Sequence, residues 1–232
     1  MSAQEGLPGA ESRPAMLRRE LRKHIEKMDK LSEKLEAPDF PKGKDWFNSP
    51  PLSLKRELRG KIVILDFWTY CCINCIHVLP DLAWLEHRFA GYPVAFVGVH
   101  SAKFDNEKVS ENIRRAVLRY EIAHPVVNDD EMKMWRSVGV RSWPSLAMVG
   151  PRGNLLLMVS GEGNRDVIEA AIAASLEFYP ADAFRHDPLP IRLESEKNPS
   201  KSPLRFPGKL AIDAPGKRLF ISDSNNLSLI HI

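Results

Sequence analysis

A Cys-x-x-Cys pair, Cys72 and Cys75, stands where a buried-strand pattern gives way to a helix pattern, and this junction limits the fold more than any other feature. Upstream, residues 61–68 (KIVILDFW) are apolar and β-branched with little alternation. Such a strand must be covered on both faces, as in the middle of a sheet. Downstream, residues 72–89 (CINCIHVLPDLAWLEHRF) read as a helix. Residues 92–100 (YPVAFVGVH) repeat the buried strand and residues 107–120 (EKVSENIRRAVLRY) form an amphipathic helix, so the order is β-α-β-α. Residues 124–127 fit a short strand, 131–138 a helix and 145–150 a strand. Residues 154–160 fit its antiparallel partner across the Pro151-Arg152-Gly153 turn, and 166–178 a closing helix. Strands alternating with helices and then a hairpin predict an α/β fold, a mixed central sheet with helices on both faces.

The flanks are simpler. In residues 14–36, Leu17, Leu21, Ile25, Met28, Leu31 and Leu35 recur at three- and four-residue steps among charges, which predicts an amphipathic helix. It is short for an independent coiled coil, so its stripe is expected to pack on its own domain, with Arg18, Arg19, Arg22 and Lys23 on the solvated face. Pro38, Pro41, Pro50 and Pro51 then impose a connector whose Trp46 and Phe47 are expected to dock on the core. Past Pro180, Pro188, Pro190, Pro199 and Pro203 read as a linker. Residues 209–213 and 218–222 form a hairpin pattern around Pro215-Gly216-Lys217, too small to stand alone. The expected organisation is a helix and connector in 1–44, an α/β domain in 45–180, a linker in 181–203 and a small β segment in 204–232.

Lys plus Arg is 33 and Asp plus Glu 30, two interspersed sets whose small difference gives no reason to expect a nucleic-acid partner. No stretch approaches the ~18 apolar residues of a membrane span. The first fifteen residues lack a secretory signal pattern, and three cysteines crowded into five positions are not a disulfide framework; a reducing compartment, the cytosol, is expected. GPRGN and SGEGN lack the strand-Gly-x-Gly-helix context, so no nucleotide cofactor is assigned.

The cysteines concentrate the chemistry. A thiol at the first turn of a helix faces unpaired backbone N–H groups and the positive end of the dipole, which favour the nucleophilic thiolate. A second sulfur one turn on can attack the resulting mixed disulfide and release the partner. Cys72 would attack and Cys75 resolve. Two other readings stay open: three inert thiols packing as small hydrophobes, and a zinc site, for which about four ligands are needed and His77 is the nearest candidate beyond the cysteines. Cys71 is either the last residue of the strand-to-helix turn or an alternative disulfide partner, although a bond to adjacent Cys72 would be strained. His77, His87, His100 and His124 are expected to be surface or helix-face residues, with His100 near the rim of the site.

LDFWTYCCINC resembles the strand, acidic residue, aromatic pair and redox Cys-x-x-Cys of the thioredoxin family, and VGVRSWPSLAMV (138–149) resembles its later segment with a cis-proline before a strand. The resemblance implies a thioredoxin-like fold with Asp66 as a buried acid that helps move a proton from Cys75. It implies that Pro144 is the cis-proline and that the Trp143 backbone offers strand-like hydrogen bonds to a substrate. FWTYCCINCIHVLPDL with VGVHSAKFDNEK is similar to the branch of the family that carries Cys-Ile-Asn-Cys. FPGKLAID and RLFISDSNN together resemble the first unit of an NHL repeat, the start of a β-propeller blade. A propeller needs several blades of about four strands, so the chain is expected to be a fragment, splice form or truncated product whose last ~25 residues are poorly stabilised. The implied function is a cytosolic thiol–disulfide oxidoreductase domain. The alternative is a redox-inactive interaction module that forms a protein-binding platform with an NHL propeller. Expected partners are proteins, met through the Cys-x-x-Cys face or the propeller, with a monomeric chain and no cofactor, metal, nucleic acid or membrane.

Overall fold

A computed structural model describes residues 12–31, 34–197, 204–225 and 228–231. Its organising element is β2 (Ile62–Trp68), every residue of which is buried. It pairs in parallel with β3 (Val94–His100) and antiparallel with β5 (Ser145–Val149). β3 pairs in parallel with β4 (Val126–Asn128), and β5 pairs antiparallel with β6 (Leu155–Ser160). A two-residue strand, β1 (Trp46–Phe47), closes the far edge antiparallel to β4, giving the order β1-β4-β3-β2-β5-β6. The expected mixed sheet is present. β1 escaped the sequence reading because two residues carry no periodicity, although Phe47 docks as expected, at 1% exposure.

The alternation of β2 splits the core in two. Ile62, Ile64 and Trp68 face α2 (Ile73–Arg88), α3 (Ser110–Arg119) and α5 (Arg165–Phe178). Val63, Leu65 and Phe67 face α4 (Lys133–Val138). Six residues of α4 are too few to roof that side, and Phe40, Leu52, Leu54 and Leu58 of the proline-rich connector complete it.

α1 (Arg13–Asp29) packs against α5 and β6 through Leu21 and Ile25, on its own domain as its stripe suggests. At its end, the Asp29 carboxylate accepts from the Arg152 guanidinium and the Tyr179 hydroxyl, both at 2.8 Å. Leu31, part of the expected stripe, lies beyond the helix and is exposed.

The segment read as a linker departs from that reading over 181–197. Buried Lys61 donates to the Arg185 and Asp187 carbonyl oxygens at 3.0 and 2.6 Å. Asn48 accepts on its carbonyl oxygen from the Arg192 N–H at 2.7 Å, and on its side chain from the N–H of Glu194, which starts α6 (Glu194–Lys197). The segment is a strap tied to the domain by partners more than a hundred residues away, which composition does not reveal. Residues 198–203 lie outside the described set.

β7 (Pro207–Asp213), β8 (Arg218–Asp223) and β9 (Ser228–His231) form a separate antiparallel sheet, one strand more than the hairpin expected. Arg205 reaches Glu121 of the main domain at 3.4 Å. Among the described residues, no helix is long and apolar enough to cross a membrane.

Ile25 is fully buried in the larger core, so Ile25→Ala should lower unfolding stability by about 2–5 kcal/mol in a denaturant titration. A loss below ~1 kcal/mol would show that α1 lies outside the cooperative unit.

Candidate active site

At the end of β2 the chain turns through Thr69 and Tyr70, and α2 begins at Ile73 with Cys72 as its N-cap. Cys72 has extended backbone (φ −96°, ψ 110°), its N–H donates to the Thr69 carbonyl at 3.1 Å, and its carbonyl accepts from the Ile76 N–H. Its side chain is half-buried, whereas Ile73 and Asn74 are exposed. Cys75, one turn on, is 1% exposed. Its thiol meets the Cys72 sulfur and the Thr69 backbone. Burial, first of all, pushes the Cys75 thiol far up; the Cys72 sulfur and the Asp66 charge push the same way, and Thr69 opposes them. Cys75 is therefore protonated at neutral pH and needs a base before it can attack anything.

Asp66 supplies a carboxyl beneath it. It is 2% exposed and neither oxygen has a hydrogen-bond partner in the protein. Burial raises its pKa from 3.8 to about 7, with His124 lowering and Glu86 raising it. A carboxyl that titrates near neutrality can both take and return a proton.

Cys71 differs from its neighbours. It is exposed, and its backbone N–H donates to Glu107 Oε1 at 3.1 Å. Loss of hydration, followed by the hydrogen bond and charge of Glu107, pushes its thiol up to about 11. Cys71 is thus held as the neutral thiol.

Glu107 is the residue that sequence reading passed over. It sits in a 3-10 turn (Asp105–Lys108) that follows β3 and is fully buried. Its carboxylate accepts from the Thr69 hydroxyl and from the backbone N–H groups of Cys71, Lys103 and Phe104. Burial alone would raise its pKa, and these hydrogen bonds outweigh burial and hold it below the usual range. The buried carboxylate staples the cysteine turn to the loop after β3. The signal was the KFDNEK segment, but nothing local to it marks Glu107 as inward-facing.

The Trp143–Pro144 peptide is cis. Ser145 pairs with Phe67, which sets Pro144 at the same end of the sheet as the cysteine turn. The Trp143 indole N–H donates to the Ser101 carbonyl at 3.0 Å, and its ring lies 4.1 Å from that of Trp135. Trp143 is half-buried and Pro144 buried.

Two histidines expected at the surface are interior. His100 is fully buried, stacks on Tyr70 at 5.4 Å, meets Trp68 edge-on, and accepts from the Tyr70 N–H. Burial lowers its pKa to about 4, so it is neutral at pH 7. His124 is 6% exposed and its Nδ1 lies 2.6 Å from Glu86 Oε1. Both stand at strand ends where a long-range partner, not the local pattern, covers the ring. His87 and His77 are exposed, and His77 faces Glu162 at 3.3 Å rather than the cysteines. Among the described residues, no group of three or more His, Cys, Asp or Glu side chains could hold a metal ion.

Between pH 3.8 and about 7, folded Asp66 holds a proton that the unfolded chain has released. Its contribution to stability therefore falls as pH rises through that window. Asp66→Asn removes this penalty, so its stability relative to wild type should grow from pH 4 to pH 8, at no more than about 1.4 kcal/mol per pH unit. Denaturant titrations of both proteins across that range check it. The comparison also cancels the opposing effect of His100, common to both. A pH-independent difference would mean that Asp66 is not a buried acid of raised pKa.

The chain is similar in sequence and fold to several known proteins. Residues 60–155 match the thioredoxin-like family model Thioredoxin_8. Protein SUPPRESSOR OF QUENCHING 1, chloroplastic, of Arabidopsis thaliana is 55% identical over 193 residues, 82% of this chain and 18% of that protein. NHL repeat-containing protein 2 of Homo sapiens is 45% identical over 206 residues, 88% of this chain and 28% of that protein. The chain thus spans less than a third of the length of these two relatives. Thiol-disulfide oxidoreductase ResA of Bacillus subtilis is 25% identical over 140 residues, 60% of this chain and 74% of that protein. In three dimensions, the crystal structure of thioredoxin-like superfamily protein SPOA0173 superposes with a TM-score of 0.57 at 24% identity, covering 61% of this chain and 96% of that one. The chain carries a thioredoxin-like domain, related to the thiol–disulfide oxidoreductases.

Proposed function

We propose that the domain exchanges thiols and disulfides with protein substrates in a reducing compartment, the cytosol. The observation that carries this reading is the stacking of three groups: Cys72 at the start of α2, the Cys75 thiol against its sulfur, and the unpartnered Asp66 carboxyl beneath. The Cys72 thiolate attacks one sulfur of a substrate disulfide, and the other sulfur leaves with the electron pair and takes a proton from water. Asp66 takes the Cys75 proton, and Cys75 attacks the Cys72 sulfur, so a Cys72–Cys75 bond forms as the bond to substrate breaks. The substrate gains two electrons and the domain becomes its disulfide, to be reduced again by an external dithiol. The exposed Ile73 and the cis Trp143–Pro144 segment supply the surface on which an extended substrate rests. Cys71, held as a thiol by loss of hydration and by Glu107, stays out of the first step.

A second reading has its own support. β7 exposes Leu210 and Ile212, at 66% and 78%, on a sheet with three strands among the described residues, and one relative is named for NHL repeats. In a longer protein this sheet would begin an NHL propeller blade, and the two parts would form a protein-binding platform with no need for redox chemistry.

Reduction of insulin by dithiothreitol separates the two. Cys72→Ser should lose the acceleration entirely, and Cys75→Ser should accumulate a mixed disulfide at Cys72 on mass spectrometry. A Cys72→Ser protein as active as wild type would overturn the exchange reading.

A further inference from the structure

Glu107 divides its two carboxylate oxygens between two segments of chain. Oε1 accepts from the Thr69 hydroxyl and the Cys71 N–H, and Oε2 accepts from the N–H groups of Lys103 and Phe104. One fully buried carboxylate therefore clamps the cysteine turn to the loop after β3. The Tyr70 hydroxyl, which donates to the Asn106 carbonyl at 3.1 Å, ties the two a second time. On this clamped backbone Phe104 turns outward. It is 55% exposed, and the Lys103 ammonium stands 5.6 Å from the centre of its ring.

Phe104 lines a cleft of about 290 Å³ beyond the ends of β3 and β4, and Met132, the N-cap of α4, adds a second apolar side chain. The cleft lies at the foot of the ~300–1,000 Å³ range of small-molecule sites, a size that suits a side chain of a bound protein. Its charges are unevenly matched. Asp105 pairs with Lys108, Asp130 with Lys44, and Glu131 with Lys44 and Lys133. Lys103 and Arg136 line the same cleft, both are exposed, and among the described residues neither meets a carboxylate. An aromatic and thioether lining beside two cations that lack an acid complements an apolar side chain with an acidic neighbour.

We propose that Phe104, with Lys103 and Arg136, is the specificity-determining surface of the exchange reaction, and that it receives an apolar side chain flanked by an acidic one, carried by the protein substrate close to its disulfide. The inference rests on the exchange reading above and adds no bond-making step to it. Its physical basis is the clamp. A substrate sulfur that reaches Cys72 brings its neighbouring residues over the loop that Glu107 holds against the cysteine turn. A lone exposed Phe on a mobile loop would be an ordinary surface residue. Here the backbone is already fixed by a buried charge, so a contact to the ring costs little further ordering.

The test uses short peptides with one cysteine, each capped as its mixed disulfide with 2-thiopyridine, and the full chain in a Cys71→Ser background. Attack by Cys72 on the peptide sulfur releases 2-thiopyridone, which is followed by absorbance. The peptides carry Phe and Glu, Ser and Glu, or Phe and Lys at successive positions on either side of the cysteine. Each rate is divided by that for 2-hydroxyethyl 2-pyridyl disulfide, so that any change in the Cys72 thiol itself cancels. In the best register the Phe and Glu peptide should react about tenfold faster than the Ser and Glu peptide and about threefold faster than the Phe and Lys peptide. Phe104→Ser should erase the first preference, and Lys103→Ser combined with Arg136→Ser the second. All three side chains are exposed, so these variants keep the fold. Equal rates for the three peptides in the parent chain, or preferences that survive the substitutions, would overturn the specificity surface. A Cys72→Ser chain that releases 2-thiopyridone from the small disulfide as fast as the parent would overturn the exchange reading itself, and this inference with it.

Discussion

A carboxylic acid placed in a strand buried on both faces is the constraint on which the rest depends. β2 carries Asp66 opposite Gly98, which has no side chain, so that the ring nitrogens of Trp68 and His124 pack onto the glycine beside the acid. Desolvation then sets the chemistry. It brings Asp66 to titrate near neutrality and keeps Cys75, packed on the same face, protonated. The two sulfurs one helical turn apart acquire different jobs because one is half-buried at the helix start and the other lies at the bottom of the layer.

A second buried carboxylate works the opposite way. Glu107 is also sealed from solvent, though nearer the surface than Asp66, and it has hydrogen bonds from a hydroxyl and three backbone N–H groups and stays ionised. Hydrogen bonds outweigh burial at Glu107, and at Asp66 no hydrogen bond opposes it. Glu107 shapes the turn that delivers Cys72, and its hydrogen bond and charge add to loss of hydration in keeping nearby Cys71 a thiol. Both effects trace to one side chain that lies thirty-six residues from Cys71 in sequence.

Much of the fold was legible along the chain. The unalternating KIVILDFW, the strand and helix order behind it and the hairpin at Pro151-Arg152-Gly153 describe local periods, and periods survive in sequence. Cys72 and Cys75 were legible for the same reason, as a spacing that puts two sulfurs on one helical turn at the end of a strand. Asp66, Trp143 and Pro144 came from resemblance. The strap over 181–197 was misread, because prolines announce only an extended chain and the tethers are Lys61 and Asn48, far upstream. His100 and His124 were misread as surface residues, since their covers are Tyr70, Trp68 and Glu86 on other elements.

Sequence by itself determined the order of elements, which strand is central, and where two thiols meet the start of a helix, because each is a property of neighbours along the chain. Only the tertiary structure decided which carboxylate is satisfied and which is not, and that Cys71 is set apart from Cys72. It alone brought a histidine from beyond α3 to a glutamate on α2 beside the buried acid. Those outcomes depend on desolvation and on hydrogen bonds between groups thirty or more residues apart, and both exist only once the layers have closed.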